Sequence, residues 1–266
     1  MRFTYGLSIL ALLLSGSGSF FGIPDAADTP DATRPSFIAE STSPLTQPVP
    51  ILVYHHVRPI AGYAKSTWSY KMSVSPEIFQ SHLEWLRDLG YTTITLDELV
   101  AMREGTLASP AKPVIITFDD NNRSQYEIAF PLLQEYGQRA VFYIISNRVD
   151  NTAFITRNEI REMADAGMDI QSHSVTHSIL TNLSNERLLE ELSESKKQLE
   201  EVSGKTVSHL AYPLTSHNQR VRDVVREAGY KTATIMDPRN ATVKDDWMKL
   251  PRIMMTDETN LQKVLP

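Results

Sequence analysis

The chain has 266 residues, 41% hydrophobic and 22% charged, which is enough for one full-sized domain with a core and excludes disorder over most of its length. Its net charge of -6 gives no electrostatic reason to expect nucleic acid or an anionic membrane as a partner. The absence of cysteine excludes disulfides, a lipid-modified cysteine and thiolate ligation of a metal.

Residues 1–20 begin with a single arginine, Arg2, followed by an apolar run from Tyr5 to Leu14 and then small residues. This order is that of a signal peptide or N-terminal anchor. The run is shorter than the roughly 20 residues that span a bilayer, which favours a secretory signal over a membrane helix. The expected location is therefore outside the cytoplasm: secreted, periplasmic or associated with the cell envelope. Residues 21–49, rich in Pro, Ala, Asp, Ser and Thr without apolar periodicity, read as a flexible linker, and residues 50–266 as the domain.

From Pro50 the chain alternates strand and helix signals. Pro50 to Tyr54 predicts a strand that ends at His55 and His56. Ser75-Pro76 caps a helix whose apolar face is Phe79, Leu83 and Leu86 and which Gly90 closes. Strands are expected at Tyr91–Thr95, Val114–Phe118, Ala140–Ile145, Met168–Ser172, Val207–Tyr212 and Tyr230–Met236. Between them lie helices around Tyr126–Tyr136, after the capping box of Thr156 and Glu159, from Ser184 to Gly204, and from about Asn218 to Ala228. Seven strands, most followed by a helix and none by a glycine-rich dinucleotide fingerprint, predict an α/β barrel rather than a doubly wound sheet.

In such a barrel the C-terminal strand ends share one face, where parallel-sheet enzymes keep their chemistry. His55-His56, Asp119-Asp120, His173, His177 and Tyr212-Pro213 all fall at or just beyond those ends. Paired acids after a strand often serve as helix caps, and His-x-x-x-His spacing also occurs in loops of hydrogen-bonded histidines. One carboxylate with two imidazoles also makes a divalent metal site open to water, and a second carboxylate can take that water's proton. Two other histidines, His82 inside a helix and His209 inside a strand, read as structural. Tyr63, Trp68 and Tyr70, in the long loop after the first strand, are candidates for a wall that stacks on sugar rings.

Thr117-Phe-Asp-Asp120, followed about fifty residues later by His173-Ser-Val-Thr-His177, resembles the first two motifs of the polysaccharide deacetylases, the carbohydrate esterase family 4 or NodB-homology enzymes. The resemblance runs from about Pro50 to the C-terminus. It implies a single-domain distorted (β/α)7 barrel, with Asp119 as general base and with Asp120, His173 and His177 holding a divalent metal, commonly zinc. Tyr212, Pro213 and Leu214 match the third motif, where the backbone N–H of Leu214 would face the oxyanion. Many members take their acid from a C-terminal Leu-x-x-His, whereas this chain reads Leu250-Pro-Arg-Ile253. The layout is closest to the exported poly-N-acetylglucosamine deacetylase branch. That likeness assigns the acid to His55, with His56 as its alternative. Arg252, in the same tail, is a candidate to orient Asp119 through its guanidinium, the alternative being a surface salt bridge.

Asn121 stands where the family has glycine, and Leu214-Thr215 where it has Tyr-Gly. The implied activity is hydrolysis of N-acetyl groups on a hexosamine-containing glycan (poly-N-acetylglucosamine, peptidoglycan or chitin-like) by a monomer able to associate with the cell envelope. The alternatives are a catalytically impaired glycan-binding homologue, an O-acetyl xylan esterase and a hydrolase of small amides.

Overall fold

The computed structural model describes residues 45–266. The expected leader, and the expected linker as far as residue 44, lie outside the described residues. Leu45 and Val49, at the end of that stretch, are buried, and Val49 bridges Ala241 in antiparallel fashion.

The strands are β1 (Ile51–Tyr54), β2 (His56–Val57), β3 (Ser73–Val74), β4 (Thr92–Thr93), β5 (Pro113–Asp119), β6 (Val141–Ile144), β7 (Asp169–Ser172), β8 (His209–Ala211), β9 (Thr232–Met236) and β10 (Leu250–Met254). The helices are α1 (Trp68–Lys71), α2 (Pro76–Asp88), α3 (Leu96–Arg103), α4 (Phe130–Glu135), α5 (Arg157–Asp165), α6 (Asn185–Ser203), α7 (Gln219–Glu227) and α8 (Leu261–Val264). Parallel pairing runs β1-β10-β9-β8-β7-β6-β5 and closes from β5 back to β1, giving the expected seven-stranded barrel. β2 and β3 pair with each other outside it.

The membership of that barrel differs from the sequence expectation at two places. The segment expected as a strand at Tyr91–Thr95 contributes only Thr92–Thr93, which pairs with the start of β5 and takes no part in closure. Thr95 instead caps α3, a helix the sequence reading passed over, in a capping box with Glu98. Such a cap satisfies two backbone donors and so competes with strand extension. The seventh barrel strand is β10. It was not among the expected strands, and its Pro251 cannot donate to a ladder.

Strand parity sorts the side chains, since successive residues point to opposite faces. Leu52, Tyr54, Ile116, Phe118, Phe142, Ile170, Leu210 and Ile253 share one cluster with Phe79, Leu83, Leu133, Ile160, Leu188, Leu192 and Val225 of the surrounding helices. Ile51, Ile115, Val141, Tyr143, Ala211 and Leu250, of the opposite parity, form a second cluster. Both faces of β5 are thus buried, which accounts for its unbroken apolar run. Continued along the inner parity, Ile115 and Thr117 lead to Asp119, Gln171 to His173, and Leu250 to Arg252.

In the outer layer Phe118 stacks on Phe142 with centroids 4.8 Å apart and lies 5.4 Å from Tyr54, fixing the strand that delivers Asp119. Phe118→Ala is expected to lower the unfolding free energy by about 3–5 kcal/mol, read as a reduced midpoint in urea denaturation.

Candidate active site

Asp119 ends β5, and the chain then turns through Asp120 at φ 75 and Asn121 at φ 43. Strand parity would aim Asp120 away from its neighbour, and the left-handed turn instead brings both carboxylates to His173. Left-handed backbone favours glycine, and asparagine is among the few other residues that adopt it readily. Asn121 fits the turn and adds to it: its Oδ1 accepts the Ile145 N–H at 3.1 Å and its carbonyl accepts the Ile155 N–H at 3.0 Å.

The histidines come from the loop that follows β7. Ser174 at φ 66 and His177 at φ 61 fold it back over the barrel mouth, and the Ser174 hydroxyl accepts the His177 N–H at 3.0 Å. The Nε2 atoms of His173 and His177 then lie 3.6 and 3.5 Å from Asp120 Oδ1, and the three ligand atoms fall within 4.8 Å of one another. Tetrahedral coordination at zinc-like bond lengths needs ligand atoms about 3.4 Å apart, so the donor set fits such an ion. His173 Nδ1 donates to the Ala211 carbonyl at 2.8 Å, which leaves Nε2 as the lone-pair atom facing Asp120. Burial pushes the His173 and His177 imidazoles down, toward the neutral form a metal requires.

Asp119 is held apart from this set. The Arg252 guanidinium, 2% exposed, grips it with two bonds of 2.7 Å, Nη1 to Oδ1 and Nη2 to Oδ2, and also donates to Thr117 Oγ1 at 3.1 Å. Burial alone would raise the Asp119 pKa; the Arg252 charge and then His173 outweigh it and hold the carboxylate below its usual range. Burial pushes Asp120, which lacks such a clamp, upward. The adjacent acids are therefore chemically distinct, one locked in a fork and the other turned toward two imidazoles.

His55, 8% exposed, follows β1 and places Nε2 4.0 Å from Asp119 Oδ2. Burial lowers its pKa to about 4. His56 belongs to β2, and its backbone N–H donates to the Met72 carbonyl at 3.0 Å. The Tyr212 ring is buried against His217, with centroids 5.3 Å apart, in the outer layer beside Arg222 of α7. The third motif thus meets the barrel mouth through backbone: Pro213–Thr215 form a 3-10 turn with Leu214 at φ 52 and Thr215 at φ 56.

Of the other candidates, His82 bonds the Tyr54 hydroxyl at 3.0 Å and His209 bonds Thr232 Oγ1 at 2.9 Å, both as internal packing groups. Trp68 is 72% and Tyr63 41% exposed, while Tyr70 is buried with its hydroxyl on Glu258. Three supports escaped the sequence reading: Thr117, the Ala211 carbonyl and Gln125. Thr117 could have been found by counting two residues back from Asp119 along the inner face, whereas the partners of the other two depend on tertiary geometry.

A family model described as polysaccharide deacetylase matches residues 107–233, which include both acids and both histidines. A poly-beta-1,6-N-acetyl-D-glucosamine N-deacetylase of Staphylococcus aureus is 28% identical over 231 residues, covering 78% of each chain. A Streptococcus pyogenes deacetylase, solved in complex with acetate, superposes with a TM-score of 0.78 at 24% identity over 83% of this chain and 99% of its own. A polysaccharide deacetylase from Bacillus cereus does so with a TM-score of 0.72 at 29% identity, covering 82% and 68%. The motif residues thus converge at the mouth of a seven-stranded parallel barrel, and over residues 107–233 the chain is similar to the polysaccharide deacetylases.

Proposed function

We propose that this protein is an exported, metal-dependent hydrolase that removes N-acetyl groups from a hexosamine-containing polysaccharide, with a polymer of N-acetylglucosamine as the preferred class. The observation that carries this reading is the Asp120, His173 and His177 donor set standing beside a separately clamped carboxylate, Asp119. The name of the staphylococcal relative supports the choice of polymer. Export rests on the Tyr5–Leu14 apolar run.

Asp120, His173 and His177 would hold the ion through one oxygen and two Nε2 atoms. Zinc in that position would supply a Lewis acid and lower the pKa of water toward neutrality. Asp119, gripped on the side facing Arg252, takes the proton of the attacking water as the new C–O bond forms at the acetamide carbon. Its depressed pKa makes it a ready donor once protonated. His55, with a pKa of about 4 and only 4.0 Å from Asp119 Oδ2, is the next acceptor. The leaving amine is more basic than either group. The C–N bond breaks as the amine nitrogen receives that proton, releasing acetate. The Leu214 N–H, on a turn held in left-handed geometry, serves the carbonyl oxygen as it gains charge.

Three outcomes follow. Purified full-length protein should carry about one zinc per chain, as a three-ligand site predicts, and release acetate from N-acetylglucosamine oligomers. Chelation should abolish that release and zinc should restore it; a chelated protein that keeps its rate would refute the metal site. His55→Ala should slow glycan deacetylation by about 10²- to 10⁴-fold, as expected for a lost general acid. It should affect 4-nitrophenyl acetate far less, because nitrophenolate leaves without a proton. Arg252→Lys keeps the charge but not the fork, and should lower kcat by about 10²-fold through misplacement of Asp119. Arg252→Met leaves a buried carboxylate unpaired and should also cost about 3–5 kcal/mol of stability by chemical denaturation.

A further inference from the structure

The closing ladder between β1 and β5 ends at the pair Tyr54 and Phe118. His55 and Asp119 are the next residues on each strand, so the two groups that handle the proton stand just past the last β1–β5 pair, while Asp119 stays paired with Tyr143 of β6. At that point the buried side chain of Gln125 bridges them. Its Nε2 donates to the His55 carbonyl at 2.8 Å and to the Asp119 carbonyl, in place of the missing rung. Both partners are carbonyl oxygens, which only accept, so the atom facing them must be the amide nitrogen with its two hydrogens.

Two further features converge on this bridge. Gln125 opens a short π-helical turn, Gln125–Ala129, in which the Phe130 N–H reaches back to the Gln125 carbonyl. Insertions of this kind reorient a helix and recur at functional sites. The peptide following His55 is also held from its other side, by the bond from the His56 N–H to the Met72 carbonyl. Arg252 already fixes the Asp119 side chain. His55 Nδ1, by contrast, has no hydrogen-bond partner among the described residues, so the direction of the imidazole depends on how its backbone is held.

We propose that Gln125 is a positioning residue for the reaction: its amide cross-links the two strand ends and sets the separation of His55 from Asp119. The inference rests on the functional reading above, since it is the pairing of a proton acceptor with a proton donor that the cross-link would align. Loss of the cross-link frees mainly His55, and the effect should therefore concentrate on the step that protonates the leaving group.

The test uses zinc-loaded full-length protein with Gln125→Met, which keeps the length and removes both donors, and Gln125→Glu, which keeps the shape. Gln125→Met should lower kcat on N-acetylglucosamine oligomers by about 10- to 100-fold. KM, zinc affinity and the rate on 4-nitrophenyl acetate should stay within about threefold of the parent. Equal losses on both substrates, a loss that tracks zinc affinity or melting temperature, or an unchanged glycan rate would each overturn the proposal. If Gln125→Met does not fold, Gln125→Glu is judged by the same criteria, and failure of both to fold assigns Gln125 a purely structural role and overturns it. If the parent protein releases no acetate from glycan, the functional reading fails. Gln125 is then judged by a crystal structure of the folded variant: a separation still near 4.0 Å between His55 Nε2 and Asp119 Oδ2 counts against it, and a wider one supports it.

Discussion

The buried ion pair of Arg252 and Asp119 is the constraint on which the site depends. Two charges inside a barrel are costly unless their geometry is close to ideal and the leftover donors find partners. The fork meets both carboxylate oxygens and Nη1 adds Thr117 Oγ1, while Nε alone of the guanidinium nitrogens is buried without a partner among the described residues. Thr117 in turn donates to the Leu52 carbonyl of β1 at 2.9 Å. Three strands are thereby tied through one carboxylate. Because Arg252 takes both of its oxygens, Asp119 stands apart from the Asp120, His173 and His177 cluster, and two consecutive acids are left in different settings.

Much of this was legible in the sequence because it follows from local rules. The capping box of Thr156 and Glu159 appears where the residue types placed it, and α7 spans nearly the segment expected from about Asn218 to Ala228. The two acids and two histidines were legible for a related reason, since a strand end followed by clustered ligand residues carries the site in the order of the chain. β10 was not. A five-residue strand containing proline has no signal of its own and exists because β1 and β9 leave room between them. Arg252 could therefore be named as a partner for Asp119, but the strand that delivers it was hidden. The Tyr91–Thr95 segment failed in the opposite sense, where a strong cap at Thr95 overrode β-branched composition.

Among the described residues, six of the seven non-glycine positions with positive φ, namely Asp120, Asn121, Ser174, His177, Leu214 and Thr215, lie in the three loops that form the barrel mouth; the seventh is Asp150. Such positions cost of order 1–3 kcal/mol each and persist only where surrounding contacts impose them. Here those contacts are visible. Asn121 is held by Ile145 and Ile155, His177 by the Ser174 hydroxyl, and Thr215 accepts the Met236 N–H at 3.2 Å. For Thr215 the demand is greatest, since its β-branch disfavours the left-handed region. The loops that would contact substrate are strained, and the barrel beneath them supplies the rigidity that keeps them so.

The order of strands around the barrel also bears on when activity can arise. His55 follows the first strand and Arg252 lies on the last, yet β1 and β10 are neighbours, and Arg252 meets Asp119 across 133 residues of sequence. Until the last strand docks, the carboxylate has no counter-charge and the ring is open beside His55 and Asp119. Closure of the fold and assembly of the site are thus one event, with a long loop to close before any contact rewards it. A chain in which β10 has not yet docked would lack the Arg252–Asp119 pair, and activity would begin only once the barrel is complete.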